Sequence, residues 1–364
     1  MKDVGIVTFY LTHNHGTMLQ CYALKTVIER LGNYKVHIIP HTYFDSIGNG
    51  FGEPYLYQKY DKSIALFDSF LKNELECTEP HIPVLTKDTA PKYDIYVAGS
   101  DAIWNTELIE NDNAFFLGFA EDMESVKIAY APSLSINDTT HLNRSIFERY
   151  IDKFDFLSVR EKEHAAFIKQ FTNKEVDAVL DPTYLLDQEA YLELMDCERK
   201  KEKSFILIYL IYEDAFSVQK IINYANRIAL RHEWDVVHFV YNIPEYVLGE
   251  KGKTFAFDGP KDFLWYFYNA DLIFTNSFHG LAFSIIFRKN FWVRPRPTGK
   301  SKIVNMLEQI GLTDRIMKNQ LVIDESEFAI DYSEVEQKLN RLIDHSYHFL
   351  STALNDVQIE EREK

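Results

Sequence analysis

Short runs of apolar residues alternate with longer segments of helical periodicity along most of the chain. A continuous apolar run is typical of a strand buried on both faces of a parallel sheet, and its alternation with helices predicts βαβ units. In the first half of the chain the predicted strands are Val4–Phe9, Lys35–Ile39, Ile95–Ala98, Lys127–Tyr130, Phe156–Val159 and Ala178–Leu180. The predicted helices of this half are Met18–Leu31, Ile64–Leu75, Ser145–Phe154 and Glu161–Gln170.

A second alternation follows a strongly charged stretch, residues 187–203, which we predict to be a linker. Its predicted elements are Phe205–Ile211, Val218–Arg231, Val236–Val240, Asp262–Tyr268, Leu272–Phe274, Leu281–Phe287, Phe291–Val293 and Ile303–Ile310. The pattern predicts an α/β protein of two doubly wound Rossmann-like domains, residues 1–190 and 204–327, which face each other across a cleft. Residues 328–364 carry a helical pattern over Phe328–Leu350, and we expect this helix to pack back on the first domain.

Composition and charge limit the class of protein. The chain has 364 residues, 46% of them hydrophobic and 15% aromatic, which predicts a folded protein with sizeable cores. A formal net charge of −16 argues against general binding to nucleic acids. Cys21, Cys77 and Cys197 are widely spaced, so we expect reduced thiols. No apolar stretch approaches the roughly 18 residues of a membrane span and no signal-peptide pattern is present, so we expect a cytoplasmic protein.

Two predicted strands of the first domain end in polar residues. His13, Asn14, His15 and Gly16 follow Val4–Phe9, and a small residue at such a turn lets a ligand approach the backbone. A His-x-His pair would suit a metal, but no third ligand is adjacent and no metal is predicted. The alternative is a capping turn with two exposed histidines.

The stretch GSDAIWN, Gly99–Asn105, follows the predicted strand Ile95–Ala98. We expect Ser100 and Asn105 on the ligand side of this turn. Asp101 would serve as a base or a hydroxyl acceptor, and Trp104 would stack on the face of a sugar. The alternative for the last two is an N-cap followed by a core tryptophan.

In the second domain, the stretch DLIFTNSFHG, Asp271–Gly280, combines a buried strand with a helix start. Ser277 is a good N-cap, and His279 and Gly280 follow it directly. A strand-to-helix turn of this kind favours an anion, because free backbone N–H groups and the helix dipole point at it. The alternative is a packing histidine bonded to a backbone carbonyl.

A basic window, residues 288–302, follows this turn and contains no acidic residue. Its cations are Arg288, Lys289, Arg294, Arg296, Lys300 and Lys302. We interpret it as an anion site facing the cleft, to which Arg160 at another predicted strand end adds a cation. The alternatives are a solvated loop and a contact with anionic lipid, in which Phe291 and Trp292 rest on the bilayer.

Six motifs in chain order resemble the polysaccharide pyruvyl transferase family. They are His13–Gly16 with Leu19–Leu24, Gly99–Asn105, Ala129–Ser133, Ser158–Glu161, Leu180–Thr183 and Ser277–Phe283. The third, fourth, fifth and sixth of these motifs are similar to the family's SYAASFG, SVRE, LDPT and SFHGTAF, respectively. Ala102 stands where the family usually has Gln in GSDQVWN, and the segment after Ser133 lacks the family's glycine.

The resemblance implies an architecture like that of GT-B glycosyltransferases and phosphoenolpyruvate as the donor, with no cofactor. Pyruvate would bridge two hydroxyls of a glycan or lipid-linked sugar in a capsule, exopolysaccharide or cell-wall precursor, as a cyclic ketal, and phosphate would leave. We expect His279 to act as general acid or phosphate clamp and Asp101 to accept a proton. The expected donor-binding residues are Arg160, Ser277, Gly280, Arg294, Arg296, Lys300 and Lys302. The expected acceptor-binding residues are His13, Asn14, His15, Gly16, Ser100, Trp104 and Asn105.

Two other functions stay open. One is a glycosyltransferase that uses a nucleotide sugar, and the other is a catalytically inactive glycan-binding subunit, for which the motif departures leave room. We expect acceptor specificity in the Gly- and Tyr-rich excursion Thr42–Asp61 and at the strand ends of the first domain. A peripheral contact with the inner face of a membrane is a separate hypothesis.

Overall fold

The structure is a computed structural model, and its chain divides into two compact units. The first unit is Met1–Leu186 with Asn340–Lys364, and the second is Asp187–Leu339. The residues that the structure describes are 1–11, 14–41, 61–78, 80–195, 199–211, 215–241, 253–254, 259–296, 300–317 and 328–360. His13 and most of the predicted excursion, residues 42–60, lie outside the described residues.

The first unit is built on a six-stranded sheet in the order β2-β1-β3-β4-β5-β6, with every pair parallel. Its strands are β1 (Lys2–Val7), β2 (Tyr34–Ile38), β3 (Ile95–Ala98), β4 (Val126–Ala129), β5 (Phe156–Val159) and β6 (Val176–Ala178). Its first helices are α1 (His15–Arg30), α2 (Asp61–Asn73), α3 (Arg144–Tyr150) and α4 (Lys162–Ile168). Strand order reverses at β1, so the topological switch point, where such sheets bind ligands, lies between β1 and β3.

The second unit has a five-stranded parallel sheet in the order β11-β10-β7-β8-β9. Its strands are β7 (Phe205–Ile211), β8 (Asp235–Tyr241), β9 (Lys253–Thr254), β10 (Leu272–Thr275) and β11 (Phe291–Val293). The remaining helices are α5 (Gln188–Met195), α6 (Ala215–His232), α7 (Pro260–Asn269), α8 (Phe278–Ile286), α9 (Lys300–Ile310) and α10 (Tyr332–Glu360). All seven residues of β7 are buried, as expected for a central parallel strand, and the switch point lies between β7 and β10.

The apolar runs became strands because parallel strands covered by helices exclude water from both faces. Four predicted strands, Ile95–Ala98, Phe156–Val159, Phe205–Ile211 and Phe291–Val293, have the observed bounds. The strand predicted at Ala178–Leu180 is observed two residues earlier in the chain, as β6, Val176–Ala178.

The charged stretch 187–203 is not a simple linker, which corrects that prediction. Helix α5 occupies its first half, and the Tyr191 ring on α5 packs edge-on against Phe283, with ring centroids 5.0 Å apart. Arg199, nearer its end, lies over the Trp265 ring with its guanidinium carbon 4.2 Å from the ring centroid. The charged side chains of α5 point outward and its apolar face is buried, so α5 is an amphipathic helix. The prediction of a linker was based on charged composition, which does not distinguish such a helix from a linker.

The long C-terminal helix α10 begins in the second unit and ends in the first. Within the first unit, the Tyr34 hydroxyl donates to the carbonyl of Leu354 at 2.9 Å, and the Leu180 amide donates to the Ser346 hydroxyl at 2.9 Å. These bonds join α10 to the β2 edge of the sheet and to the segment after β6.

Candidate active site

The carboxyl edge of the first sheet carries a continuous hydrogen-bonded layer of polar side chains. The Thr8 hydroxyl, just after β1, donates to the Ser100 carbonyl at 2.8 Å. The amide of Gln20 on α1 donates to the Thr8 hydroxyl at 3.1 Å and to the Phe9 carbonyl at 3.1 Å. These bonds tie the start of α1 to the ends of β1 and β3, the two strands that flank the switch point.

A buried ion-pair network joins the ends of β3, β5 and β6. Arg160 donates to Asp181 Oδ2 from Nη1 at 2.9 Å and to Glu161 Oε1 from Nε at 3.2 Å. The three side chains are 3%, 0% and 2% exposed, and the Ser100 hydroxyl donates to Asp181 at 3.0 Å. Buried charges of this kind are stable when paired and hydrogen-bonded, as here.

The pKa values of this network follow from burial and charge together. Burial would raise the pKa of Glu161, but the charge of Arg160 and hydrogen bonds from His164 and Ser133 hold it at about 2. For Arg160, burial acts to lower the pKa, and the charges of Glu161, Asp181 and Asp101 outweigh it and raise the pKa above its ordinary value. Arg160 and Glu161 are therefore both ionised at neutral pH.

The segment after β4 is fixed by the same network. The Ser133 hydroxyl donates to Glu161 Oε1 at 2.6 Å. His164 on α4 places Nδ1 3.1 Å from Glu161 Oε2 and Nε2 3.1 Å from the Ile136 carbonyl oxygen. Residues 133–136 are thus held from two sides.

Asp101 lies at the switch point itself, directly after β3, and is half-buried. Its Oδ2 accepts a hydrogen bond of 2.7 Å from the Thr17 hydroxyl, and its Oδ1 accepts one of 2.8 Å from the Ala102 amide. Its φ is 74°, which is left-handed and rare for a residue other than glycine. The carboxylate is close enough to Arg160 to act on its pKa.

In the second unit, the end of β10 forms the corresponding switch-point turn. Asn276 exchanges two hydrogen bonds with the Ile211 backbone at the end of β7, at 2.8 and 2.9 Å. Ser277 is the N-cap of α8 and accepts from the Gly280 amide at 3.3 Å. His279 is therefore in the first helical turn, 8% exposed.

Close packing around position 280 requires a glycine there. A Cβ atom there would press on the Thr275 hydroxyl and lie 2.8 Å from Cδ1 of Tyr209, so any side chain would push α8 away from β10 and β7. The tight approach keeps the first turn of α8, with His279, at the strand end.

Cations gather at the same end of the second sheet. The Arg294 amide, directly after β11, donates to the Thr275 carbonyl at 2.8 Å, so β11 ends beside β10. Lys302 in the first turn of α9 places Nζ 5.9 Å from the centroid of the Phe278 ring, next to His279 in sequence. Arg294, Arg296 and Lys302 are half-buried. Two helix N-termini with these cations favour an anion.

A model of one protein family matches most of the chain. The model of the polysaccharide pyruvyl transferase family matches residues 14–294. The chain belongs to this family. None of the curated proteins compared with it matches significantly.

Solved structures similar to this pyruvyl transferase family member include three proteins of low sequence identity. MnaA from S. aureus, in a co-structure with UDP, has a TM-score of 0.54 at 14% identity and covers 96% of this chain and 91% of its own. The UDP-GlcNAc 2-epimerase from Methanocaldococcus jannaschii has 0.51 at 13%, covering 94% and 92%. The UDP-N-acetylglucosamine 2-epimerase from Rickettsia bellii has 0.51 at 10%, covering 99% and 96%. The likeness shows the fold, and it confirms the predicted α/β class with two Rossmann-like domains.

Most of the residues predicted to bind the acceptor lie at the carboxyl edge of the first sheet. Several of them cap helices, form backbone hydrogen bonds or pack in the core. Asn14 is the N-cap of α1 and accepts from the Gly16 amide at 3.0 Å. The His15 ring is buried against Phe67, with centroids 5.0 Å apart. Asn105 accepts from the Leu108 amide at 3.2 Å.

Trp104 is not available to stack on a sugar, which corrects its expected role. Its side chain is 0% exposed and stacks on Phe116 with centroids 5.5 Å apart and an interplanar angle of 6°. Its Nε1 donates to the Phe115 carbonyl at 3.1 Å. The ring is a core element because its large apolar surface is buried and its one polar group is bonded.

Strand β11 divides the basic window, residues 288–302, into two parts. Before the strand, Arg288 pairs with Glu336 at 2.6 Å, and Lys289 places Nζ 5.2 Å from the Tyr268 ring centroid. After it come the cations near Thr275, and Lys300 begins α9. Phe291 is 0% and Trp292 4% exposed, so neither can rest on a bilayer as the lipid alternative required.

Several polar residues of the site escaped assignment from the sequence. They are Thr17, Ser133, Glu161, His164, Asp181 and Asn276. Ser133, Glu161 and Asp181 were within recognised motifs, and Asp181 directly follows the predicted strand Ala178–Leu180; those positions were the available signal.

Neither a metal group nor a membrane span is found in the described part of the chain. Within those ranges, no set of three or more His, Cys, Asp or Glu side chains is placed to hold a metal ion. Every described helix is too short or too polar to cross a bilayer.

Proposed function

We propose that this protein transfers the pyruvyl group of phosphoenolpyruvate to two hydroxyls of a sugar, forming a cyclic ketal and releasing phosphate. The acceptor in this proposal is a glycan or lipid-linked polysaccharide precursor on the cytoplasmic side of the membrane. Family membership supports the pyruvyl transfer. The observation that supports the donor site is the switch-point turn of the second unit, where Ser277 caps α8 directly before His279 and Lys302 lies over the neighbouring Phe278 ring.

Electrostatics favours this choice of donor site. Phosphoenolpyruvate carries close to three negative charges, which an acidic chain with a net charge of −16 repels overall. A site for it requires local positive potential, and the carboxyl end of the second sheet supplies Arg294, Arg296 and Lys302 with the N-termini of α8 and α9. Lys300, the first residue of α9, belongs to the same proposal.

The reaction adds one proton to the donor and removes one proton from each of the two sugar hydroxyls. A proton added to the terminal enol carbon creates an oxocarbenium-like centre at C2, which one sugar hydroxyl attacks. The C2–O bond to phosphate then breaks, the second hydroxyl attacks, and the hydroxyl protons balance the new methyl group and the departing phosphate. Asp101 is proposed to accept a hydroxyl proton, and the half-buried Asn14 and Asn105 to contact the acceptor. Ser100, His15 and Gly16, which were also expected to bind the acceptor, are buried and support this edge of the sheet instead.

His279 is proposed as the general acid or phosphate clamp. His279 lies in the first turn of α8, whose N-terminus favours an anion. In this proposal the phosphate of the donor binds beside the imidazole ring, where the ring can hold the phosphate or deliver a proton.

The test is incubation with phosphoenolpyruvate and a panel of lipid-linked or nitrophenyl glycosides. We expect phosphate release matched by a mass gain of one ketal in one acceptor. His279→Ala should lower turnover at saturating donor by about 10²–10⁴. His232→Ala, an exposed histidine at the end of α6, is the matched control and should not change it. Near-normal turnover of His279→Ala excludes the acid role.

A nucleotide sugar is the second candidate donor, because solved structures of this fold include a complex with UDP. Protection against thermal unfolding separates the two donors. Protection by phosphoenolpyruvate, and none by UDP or GDP sugars, supports pyruvyl transfer, and the reverse supports a glycosyltransferase. Absence of phosphate release with every acceptor favours an inactive glycan-binding subunit. Flotation with anionic vesicles tests peripheral membrane contact.

A further inference from the structure

Asp101 has a backbone conformation that the surrounding residues must enforce. Its φ of 74° lies in the left-handed region, which few residues other than glycine and the short polar Asn and Asp adopt. Such residues cluster at functional sites. The neighbours that hold Asp101 therefore indicate what the fold requires of its carboxylate.

Hydrogen bonds from both sides of β3 hold the residue. The Ser133 amide, after β4, donates to the Asp101 carbonyl at 2.8 Å. On the other side, the Thr17 hydroxyl donates to Oδ2 at 2.7 Å, while the Ala102 amide donates to Oδ1 at 2.8 Å. Backbone and carboxylate are each fixed by a different element.

Thr17 is itself held in place. It is 5% exposed in the first turn of α1, its amide donates to the Asn14 cap at 3.3 Å, and its carbonyl accepts from Gln20 at 3.0 Å. A β-branched side chain at such a position has few rotamers, so its hydroxyl has a fixed direction.

The carboxylate keeps capacity for a ligand. A carboxylate offers about four acceptor positions, and the bonds from Thr17 and Ala102 use two of them. Asp101 is half-buried, unlike the enclosed carboxylates of Glu161 and Asp181. Of the three carboxylates around Arg160, Asp101 is thus the one placed to exchange a proton with a bound molecule.

We propose that Thr17 is a positioning residue that orients the Asp101 carboxylate to accept the proton of the attacking sugar hydroxyl. The inference rests on the proposed function. In this step the hydroxyl oxygen forms its bond to C2 of the donor as its proton passes to Asp101. The proton then leaves with phosphate, which restores the carboxylate.

The test compares Thr17→Val, which keeps the shape and removes the donor, with Thr17→Ser, which keeps the donor. We expect Thr17→Val to lower kcat about tenfold to a hundredfold with the donor KM unchanged. Thr17→Ser should match the wild type in both, and thermal unfolding checks that both variants are folded.

A structural role alone would not lower kcat at an unchanged donor KM in a folded variant and be rescued by Thr17→Ser. Wild-type kcat in Thr17→Val, a raised donor KM, or an equal loss in Thr17→Ser overturns the inference. If the wild type releases no phosphate, the proposed function fails, and the ¹³C chemical shift of the Asp101 carboxyl group, measured at neutral pH, decides the inference separately. A chemical shift that differs from the wild type in Thr17→Val but not in Thr17→Ser supports the inference, and identical chemical shifts in all three proteins overturn it.

Discussion

Replacing Arg160 by Met is the most direct probe of the buried network at the carboxyl edge of the first sheet. The change removes one positive charge and keeps much of the side-chain volume. It leaves Asp181 and Glu161, which are 0% and 2% exposed, without their main counter-charge. Buried carboxylates in that state are strongly unfavourable, so we expect the first unit to lose stability.

The expected loss is large. Removing one partner of a buried ion pair costs about 3–5 kcal/mol, because the other charge stays buried and uncompensated. Burial acts to raise the pKa of Glu161, and Arg160, with His164 and Ser133, lowers it from 4.5 to about 2, so the folded state favours the ionised carboxylate.

Chemical denaturation at several pH values is the assay. A lowered carboxyl pKa stabilises the wild type above about pH 4.5, and this stabilisation is lost as the pH falls through about 2. In Arg160→Met, burial dominates and raises the pKa of Glu161, so protonation relieves the variant on acidification. The stability difference should therefore shrink as the pH is lowered from about 7 towards 4.

Arg149→Met is the matched control. Arg149 pairs with Glu121 at 3.2 Å, but its side chain is 64% exposed, and exposed pairs contribute little. The reasoning is refuted if Arg160→Met costs no more than Arg149→Met, or if its cost does not change with pH.

Three further substitutions test the packing and the pKa values. Gly280→Ala should destabilise the second unit by about 1–3 kcal/mol in thermal unfolding, because its Cβ meets Thr275; wild-type stability contradicts this. Burial lowers the pKa of His238 from 6.5 to about 4, so neutral His238 stabilises the fold above pH 6.5 and up to about 3 kcal/mol is lost as the pH falls to 4. His238→Phe should flatten this pH dependence of stability, and an unchanged slope contradicts the assignment. Trp104→Phe should cost on the order of 1–2 kcal/mol and leave the acceptor KM unchanged, whereas a raised KM with native stability restores a sugar-stacking role.

The sequence predicted the positions of many site residues, but it did not predict the role of each one. His279 was expected in a strand-to-helix turn, and Ser277 caps the helix there. Asp101 was expected at a strand end, and it lies directly after β3. Trp104, three residues further on, looked equally available to a ligand, yet its ring is enclosed by residues distant in sequence such as Phe147. Sequence spacing does not record such enclosure.

The same limit applies to charge. Arg160 looked like a free cation for the donor, and the fold surrounds it with Glu161 and Asp181, of which Asp181 lies 21 residues away. The basic window looked like one surface, and strand β11 divides it. Whether a charge is free or paired depends on which strand ends become neighbours, and strand order is a tertiary property.

The sequence by itself determined the parallel α/β class, the positions of most strands and the family, because buried strands impose continuous apolar runs and helix starts impose capping residues. Only the tertiary structure decided the sheet orders, and with them the switch points where Asp101 and His279 lie. It also decided that Thr17 reaches Asp101 across 84 residues of chain, and that Trp104 is core. Local patterns record a residue's own burial and backbone, whereas partners are fixed by strand order, which no local pattern contains.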